Sequence, residues 1–157
     1  MTKQKQKMIK MSNTIQPAQV GQIGTGDKLF LISFAVTASA AANTTFTGTI
    51  YPYGLSDGTT FTAFQIPSGI RYSLVDLGVS AAPSTDGQLE FYLNGNKQGE
   101  NFFLSTIVYG NTAKSKPSQP IILSEGATFT VKLTLLVAAG TTAYTQNLIC
   151  HFIATPV

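Results

Sequence analysis

Thr128-Phe129-Thr130-Val131-Lys132-Leu133-Thr134-Leu135-Leu136-Val137 decides how this chain folds. Successive Cβ atoms of an extended chain point to opposite sides of the pleat. Phe129, Val131, Leu133, Leu135 and Val137 therefore share one face, and Thr128, Thr130, Lys132 and Thr134 share the other. A period of two with one apolar face predicts a half-buried strand. The same pattern recurs outward from this stretch. Leu29 to Val36 places Phe30, Ile32, Phe34 and Val36 together, and Gln88 to Leu93 places Leu89, Phe91 and Leu93 opposite Gln88, Glu90 and Tyr92.

Further strands are expected at Thr44 to Tyr51, Thr59 to Ile66, Arg71 to Val79, Asn101 to Tyr109, Ile121 to Leu123 and Tyr144 to Ala154. The punctuation agrees. Asp57-Gly58, Asp86-Gly87 and Asn94-Gly95 are turn dipeptides, and Pro67, Pro83, Pro117 and Pro120 interrupt pairing between segments. No long window carries an apolar stripe at helical spacing, and the helix-friendly run Ala38 to Ala42 is too short to stand alone. Many short strands separated by Gly and Pro turns make an antiparallel β-sandwich or barrel. About eight strands suit a jelly roll better than an immunoglobulin-type sandwich. The latter's Cys…Trp…Cys signature is excluded, since the chain has one Cys and no Trp.

At 157 residues the chain is long enough to bury one core without disulfides. It divides into a basic arm, residues 1–26, and a β-sandwich domain, residues 27–157. Lys3, Lys5, Lys7 and Lys10 are four of the ten basic residues, and no acid accompanies them in the first ten positions. Without them the chain's formal charge falls from +3 to −1. Charged residues make up only 11% of the sequence, against roughly 25% in ordinary soluble domains. A hydroxyl-rich surface is easier to desolvate against neighbours than a charged one. The composition points to assembly rather than to chemistry.

Such a lysine-rich arm, followed by a hydroxyl-rich eight-stranded body that starts near Lys28-Leu29-Phe30 and ends in a last strand at the C-terminus, resembles the single jelly-roll coat proteins of icosahedral viruses. The resemblance is one of architecture and composition over the whole chain. It implies a capsid protein of the virion, made in the host cytoplasm, that self-assembles as a homo-oligomer with copies of itself and other capsid proteins. On this reading Lys3, Lys5, Lys7 and Lys10 face the virion interior and meet nucleic acid, an internal membrane surface or a neighbouring subunit. Four ammonium groups imply a salt slope of about −3 to −4 and no base readout, since the arm has neither Arg nor an aromatic side chain. Copy number must supply the strength.

Residues for catalysis are sparse. His151 is the only histidine, and its neighbour Cys150 projects from the opposite face of a strand, so the two form no dyad. Cys150 is expected among Leu148 and Phe152 in the core. Ile149, His151 and Ile153 are expected on the other face, as a contact surface between subunits. The seven carboxylates show no metal-loop spacing; only Asp86 with Glu90, or Asp76 with Glu90, offers a strand-adjacent pair. Gly21-Gln22-Ile23-Gly24-Thr25-Gly26 lacks the strand and helix that make a phosphate loop, and it reads as a hinge. No enzymatic activity, cofactor, metal or small-molecule substrate is expected.

Two loops are turn-rich enough for receptor or glycan contact. One carries Tyr51 and Tyr53, the other Lys114 and Lys116. They support an alternative reading, a carbohydrate-binding or adhesive β-sandwich module with Tyr51, Tyr53 and Tyr72 as contacts. Against it stand the absence of Trp and of a secretory signal: Met8-Ile9-Lys10-Met11 never becomes an apolar run. No transmembrane segment is expected either, since Leu135 to Ala139 is far short of the roughly 20 residues a spanning helix needs.

Overall fold

Alternation of buried and exposed side chains builds ten strands in the computed structural model, which describes residues 24–52, 58–79, 83–107 and 115–157. They are β1 (Gly26–Val36), β2 (Thr45–Thr47), β3 (Thr49–Tyr51), β4 (Phe64–Gln65), β5 (Ile70–Val79), β6 (Gly87–Leu93), β7 (Asn96–Phe103), β8 (Ile122–Leu123), β9 (Thr128–Leu135) and β10 (Tyr144–Pro156). The first sheet runs β3-β1-β10-β5-β8 and the second runs β2-β9-β6-β7, with β4 also paired to β9. Every pairing is antiparallel. Apart from the β6–β7 hairpin, sequence neighbours thus fall in different sheets while β1 pairs with β10, which is the interleaving of a jelly-roll sandwich. The arm expected over residues 1–26 lies almost wholly outside the described residues, and β1 already begins at Gly26.

The core forms where the inner faces meet. Phe30 touches Phe152 and Tyr72 within the first sheet and Phe64 across from it, with ring centroids 5.1, 5.5 and 5.4 Å apart. Phe129 of β9 meets Phe152 of β10 edge-on at 6.0 Å and stacks on Phe91 at 5.9 Å. Edge-to-face geometry satisfies the ring quadrupoles while burying large apolar area. Thr85 and Gln146 are the buried polar residues of this interior, among those described.

Several strands differ from the pattern expected of them. β9 ends at Leu135, leaving Val137 exposed, because Leu136 N turns aside to donate to Asp86 O. Thr44 to Tyr51 is not one strand: the chain changes sheets at Gly48, so β2 pairs with β9 and β3 with β1. A Cβ on Gly48 would stand 2.5 Å from Ile32 Cγ2, so only glycine lets the backbone cross so close to the core. Thr59 to Ile66 reduces to β4 and a single bridge from Phe61 to Ile50. Asn101 to Tyr109 is displaced: pairing occupies Asn96–Phe103 and then closes in a 3-10 turn, Leu104–Thr106. Ala38 to Ala42 makes turns rather than a helix, with Ser39 at φ 56°.

Two local devices set register. Asn94 and Gly95 take φ of 50° and 80° between paired Leu93 and Asn96, giving the two-residue hairpin whose twist matches the strands. In β5 the pairing runs Leu74 to Phe152, Asp76 to His151 and Leu77 to Cys150, leaving Val75 as an extra residue. This bulge resets the alternation.

Candidate functional site

The outer faces of the two sheets differ in chemistry. On the second sheet, Thr45, Thr47, Thr128, Thr130, Lys132 and Thr134 join Gln88, Glu90 and Tyr92. Thr45 Oγ1 and Thr134 Oγ1 lie 2.8 Å apart, Tyr92 donates its hydroxyl to Glu90 Oε2 at 2.7 Å, and Lys132 Nζ lies 4.8 Å from the Tyr92 ring centroid. The Glu90 hydrogen bond, with burial and the carboxylate charge behind it, holds the Tyr92 phenol above its ordinary range. Gln88 Nε2 also donates to Glu90 Oε1, at 3.0 Å.

The outer face of the first sheet mixes exposed apolar side chains with Ser33, Asn147, Ser73 and Arg71, and holds one His–Asp cluster. Leu29 is 56% exposed, Ile122 41% and Ile153 39%, while Leu31, Tyr51, Val75 and Ile149 are half-buried. Register explains the grouping. Tyr51, Leu31 and Ile149 form one row across β3, β1 and β10, and Ile153, Ser73 and Ile122 form another across β10, β5 and β8. Between these rows sits His151, opposite Leu29 on one side and Asp76 on the other. Its Nε2 is 2.9 Å from Asp27 Oδ1 and its Nδ1 is 3.5 Å from Asp76 Oδ2. A strictly regular β5 would turn Asp76 toward the core; the Val75 bulge brings it out beside the imidazole.

Cys150 lies on the other side of the same strand, fully buried. Burial first, and then the Asp76 charge, push its thiol far above the ordinary range, so it stays protonated. The opposition of Cys150 to His151 is as the alternation requires.

Other candidates are dispersed. Lys3, Lys5, Lys7, Lys10, Tyr53 and Lys114 lie outside the described residues. Lys116 is exposed and follows Ser115, which bridges Leu77 at the side of β5. Tyr51 stands at the end of β3, opposite Leu31 on the outer face of the first sheet. Tyr72 is 0% exposed in the aromatic core and offers nothing to a ligand. The carboxylate pairs also dissolve. Asp76 and Glu90 belong to opposite sheets, and Asp86 is committed to the 3-10 turn, accepting from Ser105 N and Ser105 Oγ at 3.0 Å each. Gly87, expected in a turn, instead opens β6. Among the described residues no three of His, Cys, Asp and Glu gather where they could hold a metal ion. Nor is any helix there long and apolar enough to cross a membrane.

One cleft, about 280 Å³, is lined by Ser84, Thr85, Gly140, Thr141, Thr142 and Tyr144. Its walls are rich in hydroxyls, and Tyr144 is the one titratable side chain among these lining residues. The Asp27–His151–Asp76 cluster was missed from sequence because its members are separated by up to 124 positions and meet only through sheet register. Its one legible signal was the outward phase of His151 in β10. No protein-family model and no curated protein matches the chain.

Proposed function

We propose that the chain is a structural subunit that assembles with copies of itself through the outer face of the first sheet, as the coat protein of an icosahedral virus. The contrast between the two outer faces carries this reading. Leu29, Ile122 and Ile153 expose apolar area on one outer face, whereas on the other Thr45 pairs with Thr134 and Tyr92 with Glu90 through hydrogen bonds. Contiguous exposed apolar surface on a sheet marks a contact site. The low charge content and the jelly-roll strand order support the same conclusion. On this reading the protein does no covalent chemistry, its place is the virion, and Lys3, Lys5, Lys7 and Lys10 supply a weak cationic tether toward genome, internal membrane or neighbouring subunit.

Analytical ultracentrifugation with negative-stain imaging tests the reading. Closed shells or defined oligomers are expected, and Leu29→Lys or Ile153→Lys should dissociate them; a strict monomer at high concentration would refute it. Deleting Met1 to Lys10 should leave the oligomer formed but weaken retention of nucleic acid or anionic liposomes. The second reading, a carbohydrate-binding module, rests on the hydroxyl-lined cleft between Ser84 and Tyr144. Glycan-array binding that Thr142→Val abolishes, by a protein that stays monomeric, would favour it.

A further inference from the structure

Of the chain's seven asparagines, only Asn94 is followed by glycine. An asparagine amide is open to attack at Cγ by the nitrogen of the next residue, and a glycine there puts no side chain in the way. Gly95 N forms a bond to Asn94 Cγ, the Cγ–Nδ2 bond breaks, and ammonia leaves with the proton from Gly95 N, closing a succinimide. Water then opens the ring at either carbonyl. One opening gives aspartate; the other gives isoaspartate, whose main chain runs through Cβ and Cγ. Asn43, Asn96, Asn101 and Asn147 precede Thr44, Lys97, Phe102 and Leu148, and Thr44 N is also committed to Ala41 O at 3.2 Å.

The fold opposes this step at two points. Asn94 N donates to Thr128 O and Thr128 N donates to Asn94 Oδ1, each at 2.9 Å, so backbone and side chain of one asparagine are clamped to the first residue of β9. The turn is the second restraint. φ of 50° at Asn94 and 80° at Gly95, between paired Leu93 and Asn96, belong to a type I′ hairpin, whose first central residue takes ψ of about +30°. At that torsion an L residue holds its Cβ and the following nitrogen on opposite sides of the Cα–C bond. The succinimide ring needs them on the same side. Asn94 is exposed to water, so conformation rather than burial withholds it from reaction.

We propose that Asn94 is a deamidation site gated by the β6–β7 hairpin: the closed hairpin protects the amide, and a chain whose hairpin opens converts itself. Local opening is enough, because clamp and turn lie at one end of two strands. The two products then diverge. Aspartate keeps the length of the turn, and its carboxylate accepts from Thr128 N in a charge-assisted bond. Isoaspartate adds a main-chain carbon to a two-residue loop, so Leu93 and Asn96 no longer close it in register. The hairpin therefore keeps a covalent record of its own opening, whatever the chain assembles into.

The test incubates the full chain at mildly alkaline pH, folded and in guanidinium, and follows conversion of each asparagine by peptide mass spectrometry. In guanidinium Asn94 should convert faster than every other asparagine. In the folded chain it should convert more than about tenfold more slowly, since two hydrogen bonds of ordinary net strength must open first. Native-state hydrogen exchange of the Thr128 amide measures that opening directly, and the slowing at Asn94 should be at least as large as the Thr128 protection. Thr128→Pro removes the N–H that Asn94 Oδ1 accepts, at a strand start where proline is tolerated, and should speed conversion in a chain that still unfolds cooperatively. The exchange comparison uses the wild-type chain and stands even if this variant fails to fold. Equal rates in the folded and denatured chain, or slowing smaller than the Thr128 protection, would overturn the gate. Slower conversion of Asn94 than of another asparagine in guanidinium would overturn the site itself.

Discussion

Leu74 and Leu77 stand three residues apart in β5, and both point into the core. A regular strand would send one of them to solvent. Val75 is the residue that absorbs the mismatch, since Leu74 faces Phe152 and Leu77 faces Cys150 while a single residue, His151, lies between those two partners.

Deleting Val75 therefore removes the bulge without changing any pairing: Asp76 stays opposite His151 and both leucines stay inside. The expected outcome is a cooperative unfolding transition with stability lowered by no more than about 2 kcal/mol. Deleting Ser73 instead reverses the phase of Tyr72 and Ile70, and it should abolish cooperative unfolding. Urea titration of the two variants by circular dichroism compares them directly.

Phe30 packs on Tyr72 and Phe152 of its own sheet and reaches the second sheet through Phe64. Phe30→Ala leaves a cavity that backbone ladders on both sides prevent from collapsing. A loss of about 3–5 kcal/mol is expected in denaturant unfolding, with an unchanged slope if the denatured state is unaffected.

Asn94 serves two purposes in one residue. Its backbone takes φ of 50° in the β6–β7 hairpin, and its Oδ1 accepts from Thr128 N at 2.9 Å. Asn94→Gly keeps the turn and loses the hydrogen bond, about 1 kcal/mol. Asn94→Ala loses both and should cost about 2 kcal/mol or more. Equal effects of the two substitutions would remove the turn strain from this account.

Cys150 should resist thiol reagents at about pH 8, where an ordinary cysteine is substantially ionised. Its burial keeps the thiol protonated and out of reach. Labelling should appear only as the protein unfolds in denaturant, and assembled protein should show no intermolecular disulfide on non-reducing gels. Rapid labelling of the native chain would contradict the burial.

Glu100 ties the segment before β8 to β7. Hydrogen bonds from the Ser118 side chain, and then from Ser118 N, hold its carboxyl below the ordinary range. A depressed carboxylate contributes stability that is present above its unfolded-state titration and lost as pH falls through the folded one. Protection of the Ser118 and Gln119 amides should fall at acidic pH. Glu100→Gln should reduce that protection at neutral pH without moving the global transition, as hydrogen exchange would show.

Much of this architecture was legible along the chain. Alternation in Phe129 to Leu135 and in Phe30 to Val36 identified strands and their buried faces, because a pleated backbone ties side-chain direction to position parity alone. The same rule separated Cys150 from His151, and Asn94-Gly95 announced its hairpin through the positive φ those residues tolerate. Tyr72 misled as a ligand contact because an aromatic residue at an inward position looks, in sequence, like one at the surface.

The sequence by itself determined the strands, their two-faced character and the absence of a Cys–His dyad, since these follow from covalent geometry within a few residues. Only the tertiary structure decided that the chain changes sheets at Gly48, that Val75 bulges and that Asp27, His151 and Asp76 converge. Those outcomes depend on which strands pair and in what register. Pairing minimises the free energy of the whole sandwich, by closing the aromatic core around Phe30 and Phe129, and no local window contains that sum.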